Sequence, residues 1–442
     1  MKKKSVKKAL VAVLSAVVLL PVTTMYNLSN SVYAEVTSNP VISRDCPAYS
    51  SIGAGSASSA NDKYYFSFWN STAPDYLAYD LSDVPESQRK KVIAVWYNAT
   101  GQFDYTVLNG NSNGVPSDYT IEVNSADGGV YPEDNWKVVE TVKGNTLHSR
   151  QHVIDMSGYN WIRINITGND GKEGGYTSIN MDIHNVSDGI NDSWIFYGDS
   201  ITACGMMNCY GTGFAEYVNQ IDDEYFPVQE NGGIGGVRSS EGAENIDRWL
   251  EDFPGKYVSI AYGTNDAWGN PSNTEQYYKN ISYMVEKIIE TGKTPIVPTI
   301  PYSTESAVGD NVPAYNAKIE EIYKNYPEVI KGPDFYKFFS ENPDLLSSDG
   351  VHPSEDGYAS MRQLWAETMY NEIYSKKESN TEVDGDVNED GIFNINDISV
   401  FRKFLTGKDV LLKNQRAGDL NKDNILNVFD LCRMKRILNN DN

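Results

Sequence analysis

The hydrophobic period changes once along this chain, near residue 190, and that change limits the folds open to it. Upstream, apolar and polar residues alternate in short runs at 64–69, 76–81, 92–97, 119–123, 136–142, 161–166 and 176–183. This is the period of strands with one buried face. Clusters such as Asn109-Gly110-Asn111 and Ala126-Asp127-Gly128-Gly129 separate the runs, since Asn, Asp and Gly accept the backbone angles of tight reversals. Residues 39–188 therefore read as an antiparallel β-sandwich. From 192 to 374 strands and helices alternate instead, with apolar strand runs at 194–197, 257–262 and 295–300 and helical segments at 240–253, 274–292, 312–326 and 355–374. Thr274 is placed to cap the second of these helices and Gly292 to close it. Such alternation predicts a parallel sheet covered on both faces, with functional groups at the carboxyl ends of its strands.

A chain of 442 residues exceeds what one core organises, so several domains are expected. Asp and Glu number 60 against 37 Lys and Arg, a formal charge of −23. A polyanion would be repelled, which argues against nucleic acid as a partner. Five lysines before residue 9, an apolar stretch at 9–22 and Val32-Tyr33-Ala34 read as a signal peptide over 1–34. The stretch is short for a membrane span, so secretion into the extracellular medium is expected. Of the four cysteines, Cys204 and Cys209 are close enough to bridge or simply to pack as small residues. Cys432 lies on an apolar helical face.

Residues 375–383 are polar and without apolar period, a linker. Beyond them the chain repeats itself. Asp386, Asn388, Asp390, Asn394 and Asp397 recur at the same spacing as Asp419, Asn421, Asp423, Asn427 and Asp430, each set running into a short amphipathic segment. Oxygen ligands at loop positions 1, 3, 5 and 9 with an acid at 12 suit a hard cation. The acid is Asp rather than the Glu of a full EF-hand, and no helix precedes either loop. The region 384–442 resembles a dockerin, the duplicated calcium-loop module that plugs enzymes into cohesin-bearing scaffolds of cellulosomes. That resemblance implies two Ca2+ ions on the ten residues named, and a cohesin partner read by Ile395, Asn396, Val428 and Phe429 at loop positions 10 and 11.

Four further motifs follow one another in the α/β region. Gly198-Asp199-Ser200 follows the first strand, where a serine on a strand-to-helix turn exposes its hydroxyl and leaves its N–H free. Asn231-Gly232-Gly233-Ile234-Gly235-Gly236 reads as a loop whose backbone can approach a ligand closely. Gly263-Thr264-Asn265-Asp266 follows the strand ending at Tyr262, and Asp349-Gly350-Val351-His352-Pro353 sets an acid three residues before a histidine. That histidine is the only one after Ser200; His148, His152 and His184 lie in the sandwich. Taken singly, Gly236 suits an ordinary turn, Asn265 a helix cap and Asp199 a brace for its turn.

Together the four motifs resemble the SGNH (GDSL) hydrolase family, whose named residues match Ser200, Gly236, Asn265 and His352. The resemblance implies a flavodoxin-like α/β/α domain acting as a serine esterase without a catalytic cofactor. Ser200 would be the nucleophile, His352 the base and Asp349 its orienting acid, with an oxyanion hole of Ser200, Gly236 and Asn265. The sandwich is similar to galactose-binding-type jelly rolls. With the dockerin, these expectations converge on a cellulosomal O-acetylesterase acting on acetylated plant polysaccharide, xylan-type first. A lysophospholipase, a peptidoglycan acetylesterase and a non-catalytic carbohydrate-binding subunit are the alternatives. Trp268 suits stacking on a sugar or a place in the core.

Overall fold

The computed structural model describes residues 40–62, 67–98, 114–169, 176–187, 192–206, 212–376, 384–388, 392–406, 412, 414–421 and 426–438. The expected signal peptide, most of the linker, Cys209, Asp390 and Asp423 lie outside these residues.

Strands β1 (Ala48–Tyr49), β2 (Trp69–Thr72), β3 (Asp75–Asp80), β4 (Lys91–Tyr97), β5 (Pro116–Asn124), β6 (Lys137–Val142), β7 (Ser149–Asp155), β8 (Trp161–Asn169) and β9 (Tyr176–Asn185) form the N-terminal region, with a 3-10 helix at Ala54–Ala60 and a short helical turn, α1 (Glu86–Arg89). They make two antiparallel sheets, ordered β1-β3-β8-β5-β6 and β2-β9-β4-β7. Leu77, Tyr79, Tyr119, Ile121, Ile162 and Ile164 from the first sheet meet Trp69, Val92, Trp96, Ile179 and Met181 from the second in one core. β4 departs from alternation because both its faces are covered. Val92, Ala94 and Trp96 point into the sandwich, while Ile93 and Val95 join Val228 of the next region.

That region contains the parallel sheet. Its strands β10 (Ser193–Gly198), β11 (Val228–Gly233), β12 (Tyr257–Ala261), β13 (Thr294–Val297) and β14 (Ile330–Lys331) are ordered β11-β10-β12-β13-β14. The helices are α2 (Ser200–Gly205), α3 (Phe214–Ile221), α4 (Ser239–Glu251), α5 (Thr264–Ala267), α6 (Thr274–Glu290), α7 (Ser306–Gly309), α8 (Val312–Asn325), α9 (Phe335–Glu341) and α10 (Glu355–Met369). One apolar layer gathers Ile246, Leu250, Ile281, Met284, Ile288 and Ile319, and the other Phe214, Val218, Phe339, Met361 and Trp365. The strand order is the flavodoxin-like 2-1-3-4-5, so the switch point lies between β10 and β12. Two details differ from the sequence reading. Asn231, Gly232 and Gly233 belong to β11, and the turn begins only at Ile234; Asn273, not Thr274, precedes α6 as its cap residue.

At the C-terminus α11 (Ile395–Leu405), α12 (Gln415–Gly418) and α13 (Val428–Leu438) share a small core of Val387, Ile398, Phe401, Leu412, Leu420, Leu431 and Met434.

Candidate active site

Ser200 opens α2 directly beyond β10. The turn has no room to relax: a Cβ on Gly198 would stand 2.1 Å from Thr202 Oγ1 and 2.8 Å from Ala261 O. Asp199 caps the helix by accepting from Ile201 N at 2.9 Å, which is the bracing role its position allows. Burial pushes the Asp199 carboxyl up to about 7. At the other end of α2, the wholly buried Arg362 of α10 donates to Gly205 O at 3.1 Å and to Thr212 O at 2.8 Å. A cation there complements the carbonyl end of the helix.

His352 comes from a turn closed by Ser347 N donating to His352 O at 2.7 Å, with Gly350 at φ +71°. Its Nε2 lies 2.8 Å from Ser200 Oγ, and its Nδ1 2.7 Å from Asp349 Oδ2. Asp349 Oδ1 accepts from Val351 N at 2.9 Å, His352 N at 3.0 Å and Ser347 Oγ at 2.7 Å. Burial raises the Asp349 carboxyl, but these bonds outweigh it and hold the group well below the usual carboxylate range. An ionised Asp349 beside Nδ1 fixes the proton there and turns the Nε2 lone pair toward Ser200. The turn is pinned from β13's side: Ser303 Oγ and Thr304 N donate to Gly350 O at 2.7 and 2.9 Å.

Gly236 sits in a reversal where Val237 N donates to Ile234 O at 3.4 Å, and its φ of +80° is a conformation that side chains disfavour. Asn265, in the single turn α5 after β12, donates through Nδ2 to Val237 O at 3.0 Å. Ser200, Gly236 and Asn265 thus reach the same end of the sheet from β10, β11 and β12. A serine with a lone-pair-bearing imidazole, flanked by N–H donors, can attack a carbonyl and hold the resulting oxyanion. Trp268, 48% exposed, is the residue that ends α5, three positions beyond Asn265. Sequence reasoning passed over Ser303, Ser347 and Arg362, which act through carbonyls and turns that no linear motif marks.

In the C-terminal loops the two position-12 acids behave identically. Asp397 accepts from Asn388 N at 3.2 Å and Asn394 N at 2.9 Å; Asp430 accepts from Asn421 N at 3.3 Å and Asn427 N at 3.0 Å. Both are fully buried, and Asp386 nearly so. Among the described residues no three His, Cys, Asp or Glu side chains form a metal cage, and each loop's position-5 acid, Asp390 or Asp423, lies outside them. Wholly buried carboxylates are costly without a positive charge beside them, so the loops fit a cation. Ile395, Val428 and Phe429 are exposed at the starts of α11 and α13, as is Asn396.

The GDSL-like lipase/acylhydrolase family model matches residues 196–360, and the dockerin type I domain model residues 384–439. Solved structures similar to this chain include a lipolytic protein of the G-D-S-L family from Veillonella parvula (22% identity, 42% of this chain and 98% of that one, TM-score 0.34). A lipase/acylhydrolase from Enterococcus faecalis is 20% identical over 40% of this chain and 95% of that one, with a TM-score of 0.35. An acetylxylan esterase from Geobacillus stearothermophilus is 23% identical over 41% and 94%, with a TM-score of 0.33. No curated protein matches the chain.

Proposed function

For a chain that carries a GDSL-like lipase/acylhydrolase domain, a serine esterase, joined to a dockerin type I domain, we propose a secreted, cellulosome-associated O-acetylesterase acting on plant cell-wall polysaccharide, with xylan-type polymers first. The observation that carries the reading is the unbroken relay from Ser200 through His352 to Asp349, at 2.8 and 2.7 Å.

Ser200 Oγ attacks the acetyl carbonyl as its proton passes to His352 Nε2. The oxyanion is received by Ser200 N–H, Gly236 N–H and the Asn265 carboxamide, each worth roughly 3 kcal/mol to the transition state. Protonated His352 then releases the sugar hydroxyl, and a water activated by the same ring frees acetate. Asp349 stays ionised throughout and stabilises the imidazolium.

The exposed site supports a polymer rather than a lipid: the His352 and Asp349 side chains are 35% and 50% exposed, which leaves room for a chain to pass. Trp268 offers a ring face beside it. In the dockerin, Asp386, Asn388, Asp390, Asn394 and Asp397 would hold one Ca2+, and Asp419, Asn421, Asp423, Asn427 and Asp430 a second. Bound Ca2+ would bring positive charge to the buried Asp397 and Asp430, and Ile395, Asn396, Val428 and Phe429 would meet the cohesin.

The test is acetate release from acetylated xylan, glucomannan and pectin, each beside a Ser200→Ala control. Wild type should deacetylate xylan fastest, and the control should fall by about 10⁶ in kcat. A preference for long-chain p-nitrophenyl esters over all three polymers would sink the acetylesterase reading.

A further inference from the structure

The residue after Asn265 is buried, charged and unused by the mechanism. Asp266 is 5% exposed and lies in the same turn as Asn265, yet it faces a different element. Ser239 N donates to Asp266 Oδ2 at 3.0 Å, and the Ser239 hydroxyl donates to Oδ1. Ser239 is the first residue of α4 and wholly buried. The preceding residue, Arg238, has no short acceptor side chain with which to cap that helix. The first free N–H of α4 is therefore capped by a carboxylate brought from α5, where it also meets the positive end of a 13-residue helix. The Ser239 hydroxyl is held in turn by Asn280 Nδ2 at 2.9 Å, and Asn280 Oδ1 by Gln276 Nε2 at 2.9 Å, both from α6.

These bonds lie beside a second tie between the same two segments, Asn265 Nδ2 to Val237 O at 3.0 Å. Segment 236–239 and segment 265–266 are thus joined twice, at 237–265 and at 239–266. One carries the Gly236 N–H and the other the Asn265 carboxamide. Two such ties fix the separation and the aim of both donors. The far side of α5 is secured as well: Tyr315 OH donates to Asp266 O at 2.9 Å and Asn311 Nδ2 to Ala267 O at 2.8 Å.

We infer that Asp266 and Ser239 are positioning residues that set the oxyanion hole, acting on the reaction only through the placement of Gly236 and Asn265. The inference rests on the assignment of those two residues as oxyanion donors. An oxyanion hole displaced by a fraction of an ångström loses transition-state stabilisation while leaving ground-state binding alone.

The full-length protein is assayed on p-nitrophenyl acetate for kcat, KM and the pH profile, and for the rate at which a p-nitrophenyl methylphosphonate phosphonylates Ser200. Ser239→Ala should lower kcat and phosphonylation together by about tenfold, with KM within about twofold and the pH midpoint unchanged. Asp266→Asn should lower both by about tenfold to a hundredfold. Ser239→Thr, which keeps the hydroxyl, should recover most of the loss. In an Asn265→Ala background the Ser239→Ala effect should shrink, because one of the donors it places is gone.

The outcomes separate the two claims. If Asn265→Ala leaves kcat unchanged, the oxyanion-hole assignment fails and the inference with it. If Asn265→Ala is crippled while Ser239→Ala melts earlier yet keeps wild-type kcat and phosphonylation, the pair is merely structural and the inference alone is overturned. Should Asp266→Asn fold poorly, the Ser239→Ala and Ser239→Thr pair decides.

Discussion

The sandwich and the C-terminal module flank the hydrolase region in opposite ways. The sandwich meets it through buried and half-buried polar contacts that only a fixed arrangement satisfies. Ser149 Oγ donates to Glu230 Oε1 at 2.7 Å, Gln151 Nε2 to Trp194 O at 3.1 Å and Arg150 Nη2 to Asp252 Oδ1 at 2.7 Å. Ser193 also donates to Gln151, and Arg248 to Thr146. His148 reaches Gly233 O at the end of β11, three residues before Gly236; burial pushes its pKa down to about 4, so the ring is neutral. The C-terminal module has a core of its own, with seven buried apolar side chains among the described residues. A buried polar group left without its partner costs about 1–3 kcal/mol, so cutting away the sandwich would expose or orphan several at once. We propose that the sandwich is part of the enzyme's scaffold and the C-terminal module an attachment.

Truncation gives the largest test of that contrast. Deleting 384–442 should leave kcat/KM on a soluble ester within about twofold, because the proposed catalytic groups all lie upstream. Deleting 40–187 should remove activity by several orders of magnitude, since β11 loses the support behind its catalytic turn. A soluble, folded truncation without the sandwich that retained wild-type kcat would break the comparison outright.

Chelation is the next test, and it acts on the attachment alone. Dockerin folding and metal binding should be coupled, as structural metal sites generally are. A chelator should weaken cohesin affinity by about 10³-fold or more while ester hydrolysis remains unchanged. Far-ultraviolet circular dichroism would register partial loss of α11 and α13. Parallel loss of hydrolysis would mean that the module is not separate.

The contrast also explains what could be read from the sequence. The calcium loops and the Asp349-to-His352 turn are local: spacing alone carries their geometry, so residues three or nine apart already suggest who meets whom. Ser200 and Asn265 were legible because each lies just past a strand that the sequence marks, and a parallel sheet brings strand ends together, whereas Gly236 was read from its glycine-rich run and the family resemblance alone. β7 was not legible. Its first four residues, Ser149, Arg150, Gln151 and His152, are polar because the first three side chains bond to the hydrolase region and His152 meets Tyr119 OH and Glu140 inside the sandwich. Polar residues in a strand normally mark a solvent face, and here they mark a junction. β11 was missed for a related reason, since Gln229, Glu230 and Asn231 are polar and the Asn-Gly-Gly run signals a turn. The tie from Ser239 to Asp266 spans 27 residues, and no periodicity predicts such a contact.

Glu230 offers the smallest and sharpest test, because it probes the junction without cutting the chain. It is buried in the middle of β11's polar run, and burial pushes its carboxyl from the ordinary 4.5 up to about 7, against hydrogen bonds from Ser149 and Gln151 and the charge of Arg150. A raised pKa means the folded state favours the protonated acid. The stabilisation is complete below the unfolded value near 4.5 and is lost as pH rises through about 7. Between those limits the shift amounts to about 3 kcal/mol at 1.36 kcal/mol per unit. Glu230→Gln keeps the acceptor for Ser149 and cannot ionise. Its unfolding midpoint should match wild type near pH 4.5 and exceed it by several degrees at pH 9. His148 titrates in both proteins and drops out of the difference. A difference curve flat from pH 4.5 to 9 would mean that water reaches Glu230, and that the sandwich is held less tightly than its hydrogen bonds suggest.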